Sequence, residues 1–199
     1  INFKILLQNI NDNKKIITLV NITFFNLLAN NFTANLFIIF VSSYLNLSEY
    51  VGVLLALYFI TTLISIPIWY IFGKKYSNLF LLQVGLIISI SGFLMITALG
   101  EGDLFMFTFI ILITGLGVGV DLIIPQAELA DILDHNKKNN RLSQSFTTLF
   151  SIIKKLAIGL AAGVALTGYG YLTENNINIF IHIPNILIFY FIIPIILKF

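Results

Sequence analysis

Residues 103–130, DLFMFTFIILITGLGVGVDLIIPQAELA, form an apolar run long enough to cross a bilayer as a helix. A hydrocarbon core is about 30 Å thick and takes about 20 apolar helical residues. Outward from this run five more stretches qualify, at 16–45, 50–72, 79–99, 143–171 and 178–197. The loops between them are short, so neighbouring helices should run antiparallel. A β-barrel would need alternating segments of about ten residues, and these runs do not alternate. The expected fold is all-α: a six-span membrane bundle over 16–199, preceded by a segment 1–15 on the cytoplasmic side.

Composition agrees. Of 199 residues, 58% are hydrophobic and 10% charged, against about 25% charged in an ordinary soluble domain. So much apolar surface cannot hide in one soluble core, and the natural solvent is lipid. The chain has no cysteine, which removes disulfides, thiolate nucleophiles and cysteine metal sites together. The two histidines, His135 and His182, lie on different segments with no zinc-type spacing. The sequence has no Ser–His pair, no His–Glu metal motif, and no paired aspartates on facing helices. Neither an enzyme nor a nucleic-acid partner is expected, and no metal site or cofactor.

The basic residues outside the spans are Lys4, Lys14 and Lys15, then Lys74 and Lys75, then Lys137, Lys138 and Arg141, then Lys198. The remaining loops carry Glu49, Glu101, Asp103 and Glu174 instead. Loops rich in Lys and Arg stay cytoplasmic, so both termini should lie on that side. Gly115 and Gly119 are four apart, as are Gly159 and Gly163, a spacing that lets helices pack closely in lipid. Pro67, Pro125 and Pro194 interrupt apolar runs. Trp69 and Tyr70 read as interface anchors, and His182 as a packing residue.

Ionisable residues at membrane depth are costly and mark candidate sites. Span four carries Asp121 and Glu128, seven apart and so on one helix face. Span five carries Lys154 and Lys155 at a similar depth. Gln144, Thr148, Ser151 and Lys155 form one polar stripe that Gly159 extends, which favours Lys155 as the cavity-facing lysine. The expected arrangement is an ion pair between Asp121 and a span-five lysine, broken in turn by substrate or proton. Span one adds Thr23, Asn26, Asn30 and Thr33 at helical spacing. These suit either a hydrated pathway or interhelical hydrogen bonding.

Several segments resemble a known family. They are GLGVG at 115–119, PQAELADILD at 125–134, Arg141, KLAIGL at 155–160, the Gly168–Tyr169 pair, and IPIW at 66–69 followed by FGKK at 72–75. Together they resemble the second six-helix half of the melibiose-permease-like glycoside–pentoside–hexuronide:cation symporters of the major facilitator superfamily. The resemblance implies the C-terminal half of a cation-coupled sugar symporter in a bacterial inner membrane, with a separately encoded or missing N-terminal half. It implies that Lys155 faces the cavity near sugar and cation. It also implies that Asp131, Asp134 and Arg141, with Glu128 nearby, form a charged cytoplasmic gate. The coupling cation, Na+ or H+, would bind mainly in the absent half.

The chain also departs from that pattern. Asp121 and Glu128 fall where such transporters are usually neutral, and Asn139 and Asn140 replace a loop glycine. A truncated or split-gene remnant, or a facilitator for a lipid-like substrate, are the competing readings.

Overall fold

The structure, a computed structural model, describes residues 14–135, 140–175, 177–179 and 184–198. The readings on Lys4, Lys137, Lys138, Asn139 and His182 lie outside the described residues. So do the side chains of His135, Asn140 and Arg141.

Among the described residues six helices succeed one another: α1 (Lys14–Tyr44), α2 (Val51–Gly73), α3 (Asn78–Met95), α4 (Leu104–His135), α5 (Asn140–Glu174) and α6 (Asn185–Lys198). No strand occurs among the described residues. The first five are long and apolar enough to cross a membrane, and α6 is a shorter apolar helix. Turn chemistry sets the joints. Ser77 caps α3 by accepting from the Phe80 N–H. Before α4, Gly102 takes φ +80°, a left-handed conformation suited to glycine, and its N–H reaches the Leu45 carbonyl at 2.8 Å. Asp103 then accepts from the Gly100 N–H at 2.7 Å.

The helices sort into two packing groups joined through α1. Helix α4 packs on α2 and α3, whereas α5 and α6 pack on α1, which also touches α4. The small residues of α4 make the first group close. A Cβ on Gly115 would meet Thr61, one on Gly117 would overlap Ser89 Oγ, and one on Gly119 would overlap Ser65 Oγ. Packing is therefore what Gly115 and Gly119 do. Gly159 and Gly163 differ. Nothing lies within 4 Å of either Cβ position, because that face of α5 turns away from α1.

Trp69 also departs from expectation. It is buried, and its Nε1–H donates to the Leu116 carbonyl at 2.8 Å. The glycines flanking Leu116 bare the α4 backbone to the indole, so Trp69 is a packing residue and not an interface anchor. Its neighbour Tyr70 is exposed, with Lys74 Nζ 4.6 Å from its ring centre.

Prolines and π turns shape α1 and α6. Pro67 and Pro125 sit within α2 and α4 without ending them. Residues Phe40–Tyr44 and Ile188–Ile192 are π-helical turns, and the rings of Phe40 and Tyr190 stack at 3.9 Å and 5° between them. Pro194 has no N–H to give the Tyr190 carbonyl four residues back. Thr33 Oγ1 of α1 donates to that carbonyl instead, at 2.9 Å.

The sixth helix begins at Asn185, after Pro184, and not at residue 178. Asn185 Oδ1 accepts from the Ile179 N–H and its Nδ2 donates to the Ile177 carbonyl, so residues 177–179 lie beside the helix start. This delay moves the sequence register across the membrane. At about 1.5 Å per residue α6 is about 20 Å long, shorter than the hydrocarbon core, and Lys198 falls inside the bundle.

Candidate functional site

Two amides one turn apart on α1 face two ionisable groups from other helices. Asn30 Nδ2 donates to Asp121 Oδ2 at 2.7 Å. Asn26 Oδ1 accepts from Lys198 Nζ. Three of the four are interior, with Asp121 3% exposed, Asn26 4% and Lys198 8%, and Asn30 is half-buried. Asn26 and Lys198 lie within electrostatic reach of Asp121, yet the carboxylate and the ammonium make no direct ion pair. Two rungs of α1 stand in the linkage between them. Lys198 Nζ also lies 5.9 Å from the ring centre of Phe93 on α3.

The α1–α2–α4 interface opens here into a cavity of about 600 Å³, within the range that holds small molecules. Its lining is mostly apolar, with Asn30, Asn31, Tyr58, Ser89, Asp121 and Tyr190 among its polar groups. Exposed Phe59 and Leu63 of α2 and Leu122 of α4 border it, and α5 contributes Ile158. Among the described residues, three buried side-chain oxygens have no hydrogen-bond partner: Thr23 Oγ1, Ser89 Oγ and Asp121 Oδ1. Such atoms are rare because each forfeits its hydration without replacement.

The family model described as MFS/sugar transport protein matches residues 2–199. The chain belongs to this family of major facilitator transporters. No curated protein and no solved structure matches it. Membership gives the fold its setting: apolar helices in a lipid bilayer, in a family that moves small molecules.

In this facilitator the expected site residues separate. Asn26, Asn30 and Asp121 come together. Lys154 and Lys155 do not join them, because α5 packs on α1 and not on α4. Lys155 is exposed, and Lys154 is half-buried with Nζ 5.8 Å from the Phe150 ring centre. The cation near Asp121 is instead Lys198, which hydropathy places at the membrane flank. The signal that locates it is Pro184: a proline immediately before a helix marks its start, and a start at Asn185 carries Lys198 inward.

At the other charged cluster, Asp131 is exposed and accepts from Asn78 Nδ2 at 2.8 Å. Asp134 is exposed and Glu128 half-buried. The Arg141 side chain, their expected partner, lies outside the described residues.

Proposed function

We propose that the chain is the C-terminal six-helix half of a cation-coupled sugar symporter of the melibiose-permease-like kind, working by alternating access. The observation that carries this reading is the cavity in which Asn30 holds Asp121. Amides and a carboxylate supply acceptors and donors for a polyhydroxylated ligand, and the Tyr58 and Tyr190 rings supply faces for its C–H surfaces. Midplane sites between helices, with two halves rocking around them, are the general plan of such transporters.

The outer face of α5 supports the partner half. Gln144, Thr148, Ser151, Lys155, Gly159 and Gly163 are exposed along one stripe. A lysine near the centre of a span costs about 3 kcal/mol against lipid. The stripe therefore suits a face turned to a hydrated pathway or to the N-terminal half. On this reading Lys155 and Lys154 line the pathway, and Glu128, Asp131, Asp134 and Arg141 belong to a cytoplasmic gate. Both termini lie in the cytoplasm of a bacterial cell, and Na+ or H+ drives uptake.

The test is co-expression with a six-helix N-terminal half, followed by cation-dependent uptake of a sugar panel in membrane vesicles. Uptake should need both halves and fall to background with Asp121→Asn. Uptake by this chain alone would refute the half-transporter reading. Absence of uptake for every sugar, with both halves inserted, would refute the sugar reading.

A further inference from the structure

We propose that Asp121, together with Asn26 and Asn30, forms a binding site for a small monovalent cation inside this half, with the Lys198 ammonium as its tethered competitor. The transport reading above gives such a site its purpose, but the chemistry of the site stands without it.

Asp121 has one carboxylate oxygen to spare. Its Oδ2 is held by Asn30, whereas Oδ1 is buried and unpartnered, on a residue that lines the cavity. That oxygen has no hydrogen bond to give up when a cation reaches it from the cavity. The backbone adds a second oxygen. Pro125 stands four residues after Asp121 and has no N–H, so the Asp121 carbonyl loses its ordinary helical donor. Pro67 bares the Leu63 carbonyl of α2 in the same way, on a helix that carries no carboxylate, whereas the Tyr190 carbonyl deprived by Pro194 gains Thr33 in place of the lost donor. No side chain among the described residues does this for Asp121.

The amide of Asn26 already behaves as a cation ligand, since its Oδ1 accepts from an ammonium. Ser89, on the wall of the same cavity, offers another buried oxygen without a partner. The donors are all oxygen and carry one formal charge. Zinc would call for nitrogen or sulfur, and calcium for six to eight oxygens, usually from several carboxylates. A single carboxylate with neutral oxygens matches Na+ or Li+.

Lys198 makes the site an exchanger. Its ammonium supplies the positive charge that Asp121 would otherwise lack, through Asn26 and without touching the carboxylate. A second cation entering beside it meets repulsion. Binding therefore displaces the ammonium from Asn26, and release lets it return. Tyr58 of α2 also lies within electrostatic reach of Asp121, and Tyr190 of α6 within reach of Tyr58. Neither brings a positive charge.

The experiment is equilibrium binding of radioactive sodium to the purified 199-residue chain in lipid vesicles without sugar, with Li+, K+ and choline as competitors. Lys198→Gln removes the rival charge and should tighten Na+ binding about tenfold, whereas Lys198→Arg should not. Pro125→Ala restores the helical N–H and should weaken binding. Li+ should compete and choline should not. Unchanged affinity in Lys198→Gln, or no saturable Na+ binding in either wild type or Lys198→Gln, would overturn the proposal. Sodium binding that persists where no sugar is transported would leave this site standing and remove only the sugar reading.

Discussion

Gly119 of α4 meets Ser65 of α2 with no room for a side chain between them: a Cβ there would overlap the serine Oγ and stand 2.9 Å from its Cβ. Gly119→Ala should therefore cost about 1–3 kcal/mol through overpacking. Ser65→Gly in the same chain should recover most of it. Gly163→Ala, where the Cβ position is open, should stay within about 0.5 kcal/mol of wild type. Denaturant unfolding in mixed micelles measures all three.

Trp69 is the single tryptophan, so its emission reports its own hydrogen bond to Leu116. Trp69→Phe keeps an aromatic ring but removes the N–H donor and part of the buried indole. It should lower stability by about 1–3 kcal/mol, from the lost bond and the cavity together. In wild type, emission should be insensitive to aqueous quenchers until the α2–α4 contact opens.

The missing cysteines make this chain a clean background for accessibility mapping. Single cysteines at Lys155 and Gly159 should react with a water-soluble maleimide at least about tenfold faster than cysteines at Ala157 and Ala161. Both alanines are fully buried against α1, whereas the other two positions are exposed. Equal rates at all four positions would contradict the placement of α5.

Asn30 and Asp121 should behave as one unit. Asn30→Ala strips a buried carboxylate of its donor and should cost about 2 kcal/mol, and more of substrate binding if the carboxylate swings free. Asp121→Ala should also destabilise. The double variant should be less unstable than the sum of the two singles. An additive cycle would show that the 2.7 Å bond contributes nothing.

The helices and the buried carboxylate are legible in the sequence for different reasons. Hydropathy summed over about twenty residues is robust to local noise, so five spans fall where composition puts them. Asp121, Asn26 and Asn30 stand out because polar groups in apolar runs are rare. Neighbours are harder to read. Lys155 lies at the depth of Asp121, but depth says nothing about which helices adjoin, and α5 goes to α1. Lys198 is obscured because NIFIHIP at 178–184 is nearly as apolar as the helix after it. Only the proline closing that stretch shows that the last helix starts late. Trp69 misleads because an aromatic near a span end is usually an anchor, and the bare α4 backbone that captures it is a tertiary fact.

The bond from Thr33 to the Tyr190 carbonyl makes α1 and α6 interdependent. In an ordinary helix each rung of the ladder is private, and neighbouring helices can slide past without disturbing it. Here one rung of α6 is made by α1. Drawing these two helices apart breaks the bond by which Thr33 replaces the donor that Pro194 lacks. This bond favours their moving together, and it sets rearrangement of the bundle between that pair and the α2–α3–α4 group, across the cavity that holds Asp121.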